Sequence, residues 1–176
     1  MDRLELAKRM YGCCHLTGDF LLRSGKRTGE YFDKYQFESD PVLLKAIAEG
    51  MAKLLPKGTE MVAGLELGGV PLATAISLHT GIPSLFVRKA AKKYGTCRLA
   101  EGPDFTGKKV CLVEDVITTG GAFIEGDRAL REDGATVLAV VCAIYRGEGT
   151  PDRLGDVNLR ALFTMSELSR LGFSVS

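Results

Sequence analysis

The apolar segments of this 176-residue chain are short, continuous and separated by helix-like stretches, and this alternation constrains the fold more than any other feature. The runs are MVAGL (61–65), SLFVRK (84–89), KVCLVE (109–114), TVLAVVCAIY (136–145) and the weaker NLRALFT (158–164). Strands with one face in solvent would alternate polar and apolar residues, whereas these runs are apolar throughout. We therefore predict an α/β fold of one domain, with a mainly parallel central sheet flanked by helices.

Three helices are predicted between these strands from their end signals. The clearest lies in SDPVLLKAIAEGMAKLLPKG (39–58), where Ser39 or Asp40 can cap the first turn and a proline closes the segment. A second helix is expected in PLATAISLHTG (71–81), after a glycine pair. A third should follow another glycine pair and end at Gly134.

The composition argues against several classes of function. Lys and Arg number 23 and Asp and Glu number 22, so net charge gives no support for a nucleic-acid or membrane partner. No apolar run approaches the roughly 20 residues of a membrane span. The five cysteines form no CxxC pair, and the N-terminus is charged and unlike a signal peptide. We therefore expect reduced thiols and a cytoplasmic location.

The segment VCLVEDVITTGGAF (110–123) places threonines and glycines where a strand is expected to become a helix. Backbone N–H groups point outward at such a junction, and the helix dipole adds partial positive charge. Glycine lets a ligand approach the backbone closely, and the lysine of a Walker A loop is missing. The residues Thr118, Thr119, Gly120 and Gly121 therefore predict a pocket for one phosphate.

Glu114 and Asp115 would contact a different part of the ligand, because carboxylates repel phosphate. Such acids can accept hydrogen bonds from vicinal sugar hydroxyls, hold Mg²⁺ through water and stabilise a cationic sugar transition state. The turn therefore fits a ribose that carries a 5-phosphate. The turn alone is also compatible with an alternative interpretation, an ordinary strand–turn–helix junction with solvated acids.

Two further segments stand at predicted strand ends. RKAAKKY (88–94) concentrates cations, and the turn-rich residues after it, to about residue 104, predict a mobile loop. A solvated charge run is the ordinary explanation, but beside a phosphate turn the cluster fits a ligand with several phosphates. The four cations are Arg88, Lys89, Lys92 and Lys93. The Gly-rich turn LELGGVP (65–71) would expose N–H groups for another oxyanion.

VCLVEDVITTGG resembles the phosphoribosyl diphosphate (PRPP) signature of type I phosphoribosyltransferases, in which an apolar strand, two acids and a Thr/Gly-rich loop follow one another. Four other segments resemble orotate phosphoribosyltransferases and keep their order: 20–41, 64–73, 87–102 and 145–149. The resemblance implies the type I phosphoribosyltransferase fold, with a small N-terminal hood segment at 1–40 and a mobile catalytic loop at 88–104.

The resemblance also implies a role for each matching position. PRPP would be bound by Arg88, Lys89, Lys92, Tyr94, Glu114, Asp115, Val116, Ile117, Thr118, Thr119, Gly120, Gly121 and Ala122. Orotate would be bound by Arg23, Tyr31, Phe32, Thr118 and Arg146, and the diphosphate by the turn at Gly68 and Gly69. The catalytic set would be Arg88, Lys92 and Asp115. Tyr94 stands where well-known bacterial members have histidine, and Arg23 where many members have lysine.

The implied reaction transfers the phosphoribosyl group from PRPP to orotate and yields orotidine 5′-phosphate and diphosphate, a step of UMP synthesis. Mg²⁺ would be the cofactor, held mainly through PRPP and water, with no dedicated protein ligands. The family pattern further implies a homodimer with shared active sites, in which one subunit supplies Arg88 and Lys92 to its neighbour.

Two other functions share the phosphate motif. A phosphoribosyltransferase for a purine base would show the same segment at 110–123, but it needs no partner for an orotate carboxylate. A PRPP-binding regulator would add a basic surface for nucleic acid, which the near-zero net charge argues against. A fused two-step enzyme with a decarboxylase domain would need about 200 more residues.

Overall fold

The structure is a computed structural model that describes residues 1–21, 25–88, 99–147 and 152–172. Its helices are α1 (Arg3–Cys14), α2 (Tyr35–Ser39), α3 (Pro41–Ala52), α4 (Glu66–Thr80), α5 (Gly121–Glu132) and α6 (Met165–Gly172). Its strands are β1 (His15–Leu21), β2 (Arg27–Phe32), β3 (Met61–Leu65), β4 (Ser84–Val87), β5 (Ala100–Glu101), β6 (Lys109–Ile117), β7 (Thr136–Tyr145), β8 (Arg153–Leu154) and β9 (Val157–Thr164).

A mainly parallel sheet forms the centre of the fold, in the strand order β5-β4-β3-β6-β7-β9-β8. The five longer strands run parallel, and the two-residue edge strands β5 and β8 pair antiparallel with their neighbours. All five apolar runs of the sequence are strands of this sheet, so the predicted α/β class is confirmed. The remaining two strands, β1 and β2, form a separate antiparallel hairpin in the N-terminal segment.

Helices cover both faces of the sheet. Side chains from α1, α3, α4 and α6 pack into one apolar cluster, and those from α5 pack into a second. Neighbouring residues of one strand enter different clusters: Val62 belongs to the first and Ala63 to the second. This alternation follows from the two-residue period of a strand. It explains why the central strands β3 and β7 are apolar on both faces, whereas β9 leaves Asn158 and Arg160 exposed.

Helix α3 forms as its end signals predict. The side chain of Asp40 accepts hydrogen bonds from the N–H groups of Val42, at 2.8 Å, and Leu43, at 3.1 Å. These bonds satisfy two of the donors that a helix N-terminus leaves free. The helix ends at Ala52, before the proline at position 56.

Helix α4 begins at Glu66, five residues earlier than predicted, so the expected Gly-rich turn is the first turn of the helix. Gly68 and Gly69 are buried there rather than exposed. Without side chains at these two positions, the start of the helix can lie directly against β6. Among the described helices, none combines the length and the apolar character needed to cross a bilayer.

Candidate active site

The carboxyl ends of four parallel strands bring the unusual sequence segments to one edge of the sheet. Parallel pairing aligns Leu65 of β3 with Val87 of β4, and Ile117 of β6 with Tyr145 of β7. The first turn of α4, Arg88, the Thr118–Gly121 loop and Arg146 directly follow these strand ends. Open α/β sheets bind their ligands at this edge. Within the described residues, the structure therefore brings the start of α4, Arg88, the Thr118–Gly121 loop and Arg146 to this edge.

The Thr118–Gly121 loop joins β6 to α5 and lines a cleft of about 210 Å³. Thr118 and Thr119 are exposed, and α5 starts at Gly121. Gly120 caps the helix with a φ of 76°, a conformation that residues with a side chain rarely adopt. The loop thus presents two hydroxyl groups and the N-terminus of a helix to the cleft, an arrangement that suits a phosphate.

Glu114 lines the same cleft as the Thr118–Gly121 loop. Its Oε2 atom is buried without a hydrogen-bond partner among the described residues. Burial, and then the neighbouring charge of Asp115, raise the pKa of Glu114 to about 8. The carboxyl group therefore lies next to the Thr118–Gly121 loop, where it can bind a hydroxyl or a cationic group of a ligand.

Asp115 points away from that cleft, because neighbouring residues of a strand face opposite sides of the sheet. Its side chain is fully buried, and its Oδ2 atom forms an ion pair with the ammonium group of Lys34. We predicted that the strand ends at Glu114, but β6 continues through both acids to Ile117. The ribose role of the two acids stays a prediction, and the structure gives them different surroundings.

The start of α4 packs on both acids. A Cβ atom added to Gly68 would lie 1.9 Å from Oδ2 of Asp115, and one added to Gly69 would lie 2.3 Å from the backbone oxygen of Val113 and 3.3 Å from Oε2 of Glu114. Only glycine fits such close approaches. Gly68 and Gly69 therefore set the distance between helix and acids, and the diphosphate contact assigned to them stays a prediction.

A family model described as a phosphoribosyl transferase domain matches residues 35–160 of the chain. Orotate phosphoribosyltransferase from Nocardioides is 56% identical over 165 residues, which cover 93% of this chain and 92% of that protein. The chain belongs to the orotate phosphoribosyltransferase family.

Solved structures of the family have the same fold. A complex of Mycobacterium tuberculosis orotate phosphoribosyltransferase with Fe(III) dicitrate has a TM-score of 0.85 and 31% identity, and it covers 96% of this chain and 99% of that one. A complex of the same enzyme with PRPP has a TM-score of 0.80 and 28% identity, with the same coverage. The type I phosphoribosyltransferase fold implied by the sequence resemblance is therefore confirmed.

In this family member, the N-terminal segment 1–40 carries two of the predicted base contacts, which are neighbouring residues on opposite faces of β2. The ring of Tyr31 is 44% exposed and lies 5.4 Å from the ring of Phe20, centroid to centroid. Phe32 packs against the first apolar cluster and lies near the ring of Tyr11. Tyr31 thus presents an accessible ring to a base, whereas the surroundings of Phe32 are those of a packing residue. Arg23 lies outside the described residues.

Two predicted cationic contacts, Arg88 and Arg146, are exposed where β4 and β7 end. The N–H group of Arg88 donates to the oxygen of Leu99 at 3.0 Å, which closes the base of the segment between them. The N–H group of Arg146 donates to the oxygen of Ile117 at 2.8 Å, which holds it beside the phosphate loop. The other predicted loop residues, Lys89, Lys92 and Tyr94, lie outside the described residues.

The sequence analysis missed two charged residues of this family member, Lys34 and Glu38. Both lie close to Asp115, and Glu38 directly follows the core residue Phe37. Burial and a hydrogen bond to Asp115 raise the pKa of Glu38 to about 9, so its carboxyl group keeps its proton at neutral pH. The sequence analysis gave them no role, because nothing in their polar stretch indicates that tertiary packing brings them close to Asp115 of β6.

Replacing Glu38 with glutamine should stabilise the protein increasingly as the pH rises. The pKa of Glu38 lies near 4.5 in the unfolded chain and about 9 in the folded protein, so folding must retain a proton in that pH window. The free energy of unfolding of the wild type therefore falls across the window, and glutamine avoids this cost while still donating to Asp115. We expect a gain of a few kcal/mol at about pH 8 and little at about pH 5.

Denaturant unfolding at the two pH values measures this effect. Glu132→Gln on α5, whose carboxylate is 69% exposed, is the matched control and should behave like the wild type. An equal stability change for Glu38→Gln at both pH values would show that Glu38 is ionised in the folded protein.

The described residues contain no group of three or more His, Cys, Asp or Glu side chains placed to hold a metal ion. The buried, unpartnered oxygen of Glu114 beside the phosphate loop is an oxygen donor of the kind that Mg²⁺ and its bound waters contact. The site therefore fits a magnesium ion that a phosphorylated ligand brings with it.

Proposed function

We propose that this chain transfers the 5-phosphoribosyl group of PRPP to orotate and produces orotidine 5′-phosphate and diphosphate. The observation that supports this most strongly is the cleft in which Glu114 and the Thr118–Gly121 loop lie side by side. A carboxyl group and an anion-binding loop are complementary to a sugar with hydroxyl groups and one phosphate. The family membership of the chain supports the same activity.

The 5-phosphate would occupy the loop at the start of α5. The N–H groups of the first helical turn have no partner within the helix, and the threonine hydroxyls add donors. Glu114 would then lie next to the ribose hydroxyls. When the sugar is bound, those hydroxyls would hydrogen-bond a carboxyl group that burial otherwise leaves unpaired.

Orotate would be bound between the hood and the end of β7. Arg146 is exposed there, and a guanidinium can form two parallel hydrogen bonds with a carboxylate. The exposed ring of Tyr31 would stack on the pyrimidine. This pair of contacts selects an acidic base.

In the transfer step, the bond between C1′ and the diphosphate oxygen breaks, and the electron pair leaves with the diphosphate. The bond from the base nitrogen to C1′ forms behind it, and the ribose has cationic character between the two events. Arg88, Lys89 and Lys92 would neutralise the leaving group as its charge grows. Mg²⁺, when bound with PRPP, would supply further charge neutralisation at the diphosphate and orient it.

The assembly and location are also proposals. A homodimer in which one subunit supplies Arg88 and Lys92 to the neighbouring site follows from the sequence resemblance, and so do a single domain with a hood at 1–40 and a catalytic loop at 88–104. The near-zero net charge supports an enzyme that acts on small molecules, with neither a nucleic-acid nor a membrane partner, and the cysteine pattern supports a cytoplasmic location.

Replacing Arg146 with alanine should raise the KM for orotate by about 10- to 100-fold, because hydrogen bonds to a charged group are lost. The KM for PRPP should change less than about threefold, since Arg146 contacts only the base in this account. Initial-rate kinetics with each substrate varied in turn measures both values.

Arg128→Ala is the matched control for this variant, because Arg128 is an arginine on α5 whose side chain is 74% exposed. It should leave both KM values unchanged. A selective loss of PRPP affinity in Arg146→Ala would contradict the carboxylate role.

A further inference from the structure

Lys34 connects two parts of the molecule that the proposed function assigns to different substrates. It follows β2, which carries Tyr31, and immediately precedes α2. Its ammonium group forms an ion pair with Asp115 of β6, the strand that leads into the phosphate loop. The ion pair therefore joins the hood segment to the strand that carries the ribose-binding acids.

The burial of this ion pair restricts where its two partners can lie. Asp115 is fully buried and the side chain of Lys34 is only 31% exposed. A buried carboxylate that loses its counter-ion is strongly disfavoured, so the lysine must stay in contact with it. A buried ion pair contributes little net stability compared with apolar residues of similar size. The main effect of this ion pair is therefore to fix the position of Lys34 relative to Asp115.

Lys34 is also the cation that balances a cluster of three acids. Asp115 contacts it directly, and its positive charge lowers the pKa of both Glu38 and Glu114 against the larger effect of burial. The start of α4 closes the opposite side, because a Cβ atom added to Gly68 would overlap the carboxylate of Asp115. Asp115 is thus held between a glycine of α4 and a lysine of the hood segment, with no room to follow a displaced hood.

We propose that Lys34 is a positioning residue, whose ion pair with Asp115 sets the distance between the hood that binds the base and the strand that binds the ribose. This inference rests on the proposed function. The reacting nitrogen of the base and C1′ of the ribose must approach within about 3–3.5 Å for transfer, and an error of about 1 Å costs on the order of 100-fold in rate. Lys34 keeps the two subsites aligned without contacting either substrate.

Replacing Lys34 with methionine tests this inference, because methionine keeps the length and the apolar stem but removes the charge. The rate constant kcat should fall by about 10- to 100-fold, while each KM changes less than about threefold. Lys34→Arg should recover part of kcat, since it restores the charge. Lys45→Met on α3 is the matched control, because its side chain is 79% exposed, and it should match the wild type.

Comparing the affinity for a ligand that spans both subsites with the affinities for its two fragments distinguishes a positioning role of Lys34 from a loss of structure. Orotidine 5′-phosphate spans both subsites, whereas orotate and ribose 5-phosphate each occupy one. Calorimetry on Lys34→Met should show at least about tenfold weaker binding of orotidine 5′-phosphate, with nearly unchanged binding of the two fragments. A variant that is merely less folded would lose all three affinities in the same proportion, and that result would overturn the proposal.

Two further outcomes complete the test. If Lys34→Met does not fold, the double variant with Glu38→Gln is measured instead, because the glutamine removes a carboxyl group that burial penalises. Wild-type kcat in either folded variant would overturn the role of Lys34. An inactive wild type with orotate would instead refute the proposed function, so the two failures are distinguishable.

Discussion

Gly68→Ala should lower kcat/KM by at least about 100-fold, because the new methyl group cannot fit beside Asp115. An ideal Cβ at this position would lie 1.9 Å from Oδ2 of Asp115 and 2.4 Å from its carboxyl carbon. The carboxylate is buried and paired with Lys34, so it cannot move aside without breaking that pair. Either the helix or the acid must shift, and a shift of about 1 Å in a reacting site is worth about 100-fold.

The same substitution should also cost about 1–3 kcal/mol in the free energy of unfolding, the usual cost of overpacking. Circular dichroism would first show that Gly68→Ala is folded, and initial rates would then measure kcat/KM. Gly12→Ala is the control, because a Cβ at Gly12 in α1 would meet nothing within 4 Å. Full activity in folded Gly68→Ala would contradict the tight packing of α4 on the acid pair.

Lys92→Ala should lower kcat by about 100- to 1,000-fold and leave the fold intact. The prediction rests on the sequence, in which Lys92 belongs to a dense run of cations. Arg88, at the start of that run, is exposed where β4 ends, at the same sheet edge as the phosphate loop. A cation that stabilises charge formed only in the transition state affects kcat in this range. Lys57→Ala, an exposed lysine before β3, is the control.

Mixing two impaired variants tests whether subunits share the site. In a mixed dimer of Lys92→Ala and Arg146→Ala, one site would contain both substitutions and the other would contain neither. Random exchange of subunits should then restore about a quarter of the wild-type activity at substrate levels below the raised KM. No recovery after subunit exchange would show that each subunit uses its own Lys92.

The sheet and the loop between β6 and α5 could be predicted from sequence because their signals are local. A continuous apolar run predicts a strand that is covered on both faces. The glycine pair at 120–121 marks the start of α5. The family signature then indicated which ligand such a loop binds. Each of these features depends on a few neighbouring residues, so the sequence displays it directly.

The environment of the acid pair could not be predicted in this way. We ended the strand at Glu114, but pairing of β6 with β7 extends to Ile117, and the two acids have different surroundings: Glu114 lines the cleft and Asp115 pairs with Lys34. Gly68 and Gly69 looked like a turn, yet they shape the contact of α4 with β6. These features depend on pairs of elements that are distant in sequence.

The environment of Lys34 and Glu38 could not be predicted from sequence for a related reason. Charged residues in a polar stretch are solvated in most proteins, so their identity gives no sign of burial. Their environment is created by Asp115, about 80 residues further along the chain. The resemblance drew attention only to positions that match a known motif.

The most direct test of the central claim is an assay of the purified protein with PRPP, Mg²⁺ and a panel of bases. We expect the absorbance of orotate to fall as orotidine 5′-phosphate forms, with one diphosphate released for each orotate consumed. Hypoxanthine and adenine should give no turnover, because neither carries a carboxylate for Arg146. Turnover with hypoxanthine and none with orotate would contradict the account.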